Sequence, residues 1–167
     1  ADLNGKEIPE VNDTQIDLPI NAFIPATWIA NREEKLEAYK NVTSCENLEQ
    51  LTELSSDWVS RYGLIPQPVE TLIQIMKIKL LAKNCGFQKI KLKKPNIIIE
   101  TKMEVNAFKH IRENLPKSVQ SKFIYQKEKD FSKIIIRGLG VTDIQNQIDN
   151  MLSWFSIMSK TAENLSN

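Results

Sequence analysis

The stretch RYGLIPQP, Arg61 to Pro68, limits the possible folds more than any other part of the chain. A helix-period pattern runs into Arg61 and Tyr62 and meets Gly63, a residue suited to the left-handed backbone that closes a helix. Pro66 and Pro68 follow at once. Neither tolerates a helix interior, because the ring clashes with the preceding turn and carries no N–H. A second helix-period pattern then begins. The chain must turn a rigid corner here between two packed helices, and Arg61, Tyr62, Gly63, Pro66 and Pro68 are the residues of that corner.

Upstream, Asn31 with Glu34 three residues on makes a capping box for a first helix, whose apolar face is Leu36, Tyr39 and Val42. Ser44 is the expected cap of a second helix over about 45–62, with Leu48, Leu51, Leu54 or Ser55, Trp58 and Tyr62 at helical spacing. Gln67 at the cap, Pro68 at the first position and Glu70 at the third open a third helix that Gly86 stops. Val69, Leu72, Ile73, Met76, Leu80 and Lys83 stack on one side of it, and Ile75 and Ile78 on another. A helix apolar on two sides is usually a central one. Before these helices, residues 14–18 read as a short strand ended by Pro19. Residues 19–30 dock Phe23, Ile24 and Trp28 onto the core without forming a helix, since Pro19 and Pro25 forbid one.

The second half changes period. FQKIKLK, residues 87–93, alternates apolar and lysine, and after the Lys94-Pro95-Asn96 turn IIIET supplies a partner strand. A short helix is expected over 105–114. KFIYQ and KIIIR, at 122–126 and 133–137, form a second strand pair around the charged turn KEKD. Thr142 with Gln145 is the expected cap of a last helix carrying Ile144, Ile148, Met151, Leu152, Phe155 and Met158, with Val141 at the head of that stripe. The fold class is α+β: one strand, three helices, then two antiparallel strand pairs with a short helix between them, and a long C-terminal helix packed on the sheet. Residues 1–12 read as a lead-in from a longer parent protein, since the chain opens without Met in polar sequence, and 13–167 as a single α+β domain.

Composition excludes some classes. No apolar run approaches the roughly 18–20 residues of a membrane helix, and no signal peptide opens the chain. Cys45 and Cys85 are expected as free thiols of a reducing cytoplasm. The net charge of +1 is unevenly placed: residues 1–60 carry −8, residues 61–139 carry +11 and residues 140–167 carry −2. Such asymmetry suits either internal complementarity or a basic surface for an acidic partner.

The chain offers little for catalysis. His110 is the single histidine, with Glu113 one turn away, and one histidine cannot build a His-rich zinc site. No phosphate-loop motif is present. Gly138-Leu139-Gly140 is a lone GxG, and a strand-end turn explains it without a ligand. Glu33-Glu34 and the Glu53, Asp57 pair lie on expected solvated helix faces. No catalytic residue, metal ligand or cofactor is assigned. The strongest signal is basic: Lys89, Lys91, Lys93 and Lys94 on one hairpin arm, where alternate lysines share a face and can line up with phosphates. Lysine on an edge strand also guards against edge-to-edge aggregation. Stacking aromatics are sparse there, Phe87 being the only one between Ile75 and Phe108. An acidic protein surface therefore competes with nucleic acid as the partner of this arm.

With the corner and its flanks in place, a family resemblance emerges. Asp17-Leu18-Pro19, Phe23-Ile24-Pro25, Arg32 with Leu36 and Tyr39, Arg61-Tyr62-Gly63-Leu64-Ile65-Pro66, Leu72 and Gly86-Phe87 together resemble the C-terminal domain of the bacterial transcription-repair coupling factor. The likeness covers about residues 14–102, with Ser60 and Gln67 standing where the family commonly has acidic residues. The resemblance implies a non-catalytic regulatory domain of an ATP-dependent DNA translocase that displaces stalled RNA polymerase and recruits excision repair. It implies an autoinhibitory clamp on an N-terminal UvrB-like module that masks the UvrA-binding surface, in a bacterial cytoplasm. No contact residue of that clamp is carried over. The alternative is an accessory DNA-binding module using the Lys89–Lys94 arm.

Overall fold

The computed structural model describes residues 5–166, the side chain of Ser166 excepted. The chain divides into two compact units, one helical, Ile20–Leu80, and one built on a sheet from the residues up to Pro19 and from Leu81 onward.

The helical unit holds α1 Arg32–Thr43, α2 Leu48–Tyr62 and most of α3 Gln67–Asn84, whose last turn belongs to the sheet unit. Asn31 caps α1 as expected, its side-chain oxygen accepting from the Glu34 N–H at 3.0 Å. Ser44 does not open α2. It closes α1, donating its hydroxyl to the Lys40 carbonyl at 2.6 Å. Asn47 caps α2 instead, accepting from Gln50 N–H at 2.8 Å, while Gln50 Oε1 accepts from Glu46 N–H at 2.8 Å. Asn satisfies an orphan donor as well as Ser does, so the four residues 44–47 can link the two helices. At the other end of α2, Gly63 takes φ 82° and gives its N–H to Val59. The Pro66 carbonyl then accepts from both Val69 and Glu70, which starts α3 one residue before the expected cap. The proline-broken segment before α1 is pinned at two adjacent residues: Phe23 N–H donates to the Pro68 carbonyl, and Ile24 N–H to the Tyr39 hydroxyl at 2.7 Å. Ile24, Ile29, Ala38, Val42, Leu51, Trp58, Val69, Ile73, Met76 and Leu80 form the core. Trp28 packs its ring on Trp58 and Tyr62 at 5.8 and 5.3 Å. Leu36 and Phe23, expected in the core, are 59% and 41% exposed, because Ala38 takes the inward place on α1 and Ile24 takes it in the docked segment.

The sheet unit carries β1 Gln15–Asp17, β2 Phe87–Lys93, β3 Asn96–Thr101, β4 Phe123–Lys127 and β5 Ser132–Ile136. The strand order is β1-β2-β3-β5-β4. The two expected hairpins join through β3 and β5, which pair antiparallel. Ile97-Ile98-Ile99 and Ile134-Ile135-Ile136 are the least polar runs of the chain, and centrally placed strands bury most surface. β1 returns parallel to β2, which the intervening three helices permit. A bulge between Phe87 and Lys89 lets Phe87 and Ile90, three residues apart, face the same side. That side is covered by α6 Ile144–Ser166, with Phe155 on Phe87 and Trp154 on Phe123 at 5.3 and 5.7 Å. α4 Val105–Arg112 joins it, Phe108 lying 5.5 Å from Tyr125. A single turn, α5 Lys117–Gln120, follows.

The GxG before α6 is structural. A Cβ on Gly140 would sit 2.6 Å from the Asn96 carbonyl oxygen, so the turn Leu139–Val141 lies flat on the β2–β3 hairpin end. Thr142 does not cap α6, because its hydroxyl is turned back to Leu139. Asp143 accepts from the Asn146 N–H at 2.8 Å in its place. Of the expected lead-in, residues 1–4 lie outside the described residues. From Gly5 the chain is held: the Gly5 carbonyl accepts from Ala107 N–H, and Val11 is buried.

Candidate functional site

Two surfaces collect the residues that sequence points to, one in each unit. In the sheet unit, Lys89, Lys91 and Lys93 share the sheet face opposite α6, as their period-two spacing requires. Register carries two rows across that face. One runs Gln15, Lys89, Glu100, Lys133, Gln126, and the other Asp17, Lys91, Ile98, Ile135, Ile124. The cations are not equivalent. Lys91 Nζ lies 2.9 Å from Glu100 Oε2, and Lys133 Nζ lies 3.5 Å from Glu128 Oε1. Lys93 and Lys94 are exposed at the hairpin end, where the Lys94–Pro95 bond is cis. Lys89, Lys93 and Lys94 make no ion pair with the described residues. The arm therefore presents three uncompensated cations, with Lys91 neutralised across the β2–β3 pair.

In the helical unit, the corner residues do more than end a helix. Arg61 and Tyr62 line a cleft of about 60 Å³ between α1 and α2, with Glu34, Glu37, Ala38, Asn41 and Trp58. Arg61 lies over the Tyr62 ring at 5.2 Å, and its guanidinium is 3.7 Å from the Asp57 carboxylate, four residues back. Both partners are more than half exposed, so the pair contributes little to stability. Glu34 and Glu37 give the rim a carboxylate character, which extends along α2 through the exposed Glu49, Glu53 and Asp57. Sequence reading put Glu34, Glu53 and Asp57 on solvated faces but not around a cleft, and it did not single out Glu37 or Glu49. Contacts between α1 and α2 decide that, and no local pattern encodes them. Gly63, Pro66 and Pro68 shape the corner without lining the cleft.

His110 Nδ1 lies 3.4 Å from Glu113 Oε1 on the α4 surface. Cys85 is fully buried, its thiol pushed well up by burial and by the Glu163 charge, so it stays protonated. Cys45 is half-buried and its thiol is raised by burial too. Among the described residues, no three His, Cys, Asp or Glu side chains gather as metal ligands, and no helix is long and apolar enough to cross a membrane.

Comparison with known proteins places this fold. A model of the TRCF domain matches residues 18–110. A transcription-repair-coupling factor of Staphylococcus epidermidis (strain RP62A) is 33% identical over 94 residues, 56% of this chain and 8% of the relative. One from Staphylococcus aureus (strain USA300) is 32% identical over 105 residues, 63% of this chain and 9% of the relative. The matched part of the chain thus spans under a tenth of the length of these relatives, 8–9%. The crystal structure of the C-terminal domain of a transcription-repair coupling factor superposes with a TM-score of 0.70. It covers 91% of this chain and 96% of that one at 19% identity, a likeness of fold. With the corner, the docked segment and α3 all inside the matched region, the chain belongs to the TRCF domain family.

Proposed function

We propose that this chain is the non-catalytic regulatory domain of a transcription-repair coupling factor, whose parent is an ATP-dependent DNA translocase of the bacterial cytoplasm acting on stalled RNA polymerase. In this reading the domain closes as a clamp on the N-terminal UvrB-like module of the parent and masks the surface that binds UvrA. The observation that carries it is the exposed carboxylate face of α1 and α2, where Glu34 and Glu37 rim a cleft floored by Trp58 and Tyr62. A latch has to open, and a contact made of exposed charges suits that, since each ion pair adds only about 0–1 kcal/mol. Calorimetric titration of the chain against the separately made N-terminal module, at two salt concentrations, tests it. The expected result is 1:1 binding that excludes UvrA and weakens when Glu34 and Glu37 are changed to Gln. No binding in trans, or binding that leaves UvrA free to associate, removes the clamp.

A second reading rests on the three uncompensated cations Lys89, Lys93 and Lys94: an accessory contact to DNA. Its signature is a duplex affinity that falls steeply with salt, with a log–log slope near −3 if all three meet phosphates, at about 0.9 per contact.

A further inference from the structure

We infer that the outer edge of β4 is a docking edge for an extended acidic segment of a protein partner, added to the sheet as a sixth strand. β4 is the last strand of the sheet, so one side of its backbone faces no other strand. The ladder with β5 says which groups point there. Arg137 N–H donates to the Lys122 carbonyl and Glu128 N–H to the Phe131 carbonyl, and these two bonds bracket the strand. Antiparallel pairs alternate between bonded and non-bonded, so Ile124 and Gln126 bond inward to β5. Phe123, Tyr125 and Lys127 aim N–H and C=O outward. The Phe123 carbonyl is already occupied by the Arg112 guanidinium at 3.2 Å. The Tyr125 and Lys127 groups have no partner among the described residues.

Charge selects the occupant. Lys122, Lys127 and Lys129 stand on the strand and its flanks against Glu128 and Asp130, and Glu128 is already paired with Lys133 of β5. A second copy pairing its own β4 here would bring like charges together, the device by which edge lysines prevent self-association. An acidic strand meets the same lysines favourably. Side chains refine the fit. Ile124 is 40% exposed and ends the apolar row Ile98, Ile135, Ile124, so the incoming strand places an aliphatic residue beside it. The residues on either side of it turn to the other face, where a carboxylate meets Lys127. Main-chain bonds then supply affinity and alternate side chains supply specificity.

The test uses the ¹⁵N-labelled chain and a capped peptide of alternating Glu and Val, with a Lys and Val peptide as control. The expected result is saturable binding of the acidic peptide alone, with amide exchange slowed at Tyr125 and Lys127 and unchanged at Ile124 and Gln126. Replacing Lys127 with Pro removes one outward donor without touching a ladder bond and abolishes the protection. Should that variant unfold, Lys127→Glu with Lys129→Glu keeps the backbone intact and is expected to weaken binding about tenfold, two ion pairs' worth. Equal binding of the basic peptide, binding without protection of these two amides, or no binding overturns the proposal. So does concentration-dependent dimerisation of the chain alone that protects the same amides.

Discussion

Gly63 illustrates how much one residue decides at the corner. Its φ of 82° with ψ of −154° lies where a Cβ is strained, yet nothing stands within 4 Å of where a Cβ would be. Gly63→Ala is therefore expected to cost about 1–2 kcal/mol through the backbone alone, read from urea denaturation. Gly140→Ala tests the opposite case, a steric conflict with the Asn96 carbonyl, and should cost about 1–3 kcal/mol or more. Cys85 makes a pH-dependent contribution whose sign follows from its burial. Its folded pKa is raised from the ordinary 9.0, so the neutral thiol is the folded species. The unfolded thiol ionises first as pH rises, and the stability that Cys85 supplies is present below about 9 and declines above it. Cys85→Ala should flatten that alkaline limb in chemical denaturation. Native Cys85 should also resist iodoacetamide while half-buried Cys45 is alkylated sooner.

Elements show where local rules compete. Two residues can cap α2 on sequence grounds, and the structure chooses Asn47 over Ser44. Asn47→Ala is expected to cost about 1 kcal/mol, and Ser44→Ala clearly less, by thermal unfolding of each variant. The strand β2 makes a parallel point about charge. Lys91 and Lys93 look alike in FQKIKLK, but only Lys91 has a partner across the pair, Glu100 at 2.9 Å. Lys93→Ala should lower retention on heparin-agarose more than Lys91→Ala. Lys91→Ala should leave a half-buried Glu100 without its cation and cost more stability than Lys93→Ala. The bulge at Phe87 belongs to this scale too. Its trace in the sequence is the odd spacing of Phe87 and Ile90, which strict alternation cannot reconcile.

At the scale of the whole molecule, α3 is the element that both units share. A proline inside it removes a helical hydrogen bond and distorts the preceding turn, at about 3 kcal/mol or more. Lys79→Pro is expected to destabilise the helical unit and the sheet unit together. Single-tryptophan variants keeping Trp58 or Trp154 report the two separately by fluorescence. Destabilisation at one reporter alone would show that the shared helix does not link their unfolding.

What the sequence determined by itself is what short-range physics controls. Helix and strand periods, the capping of α1 by Asn31, the corner at Gly63 and Pro66, the lysine face of β2 and the α+β class all follow from steric limits and spacing within a few residues. The family was legible for the same reason, since its pattern is an ordered run of such local signals through Gly86-Phe87. Strand order, the joining of two hairpins through the isoleucine runs of β3 and β5, the pairing of Lys91 with Glu100 and the carboxylate-rimmed cleft of α1 and α2 were decided only by tertiary structure. Each brings together residues distant in the chain, and which surfaces meet depends on the burial of the whole core.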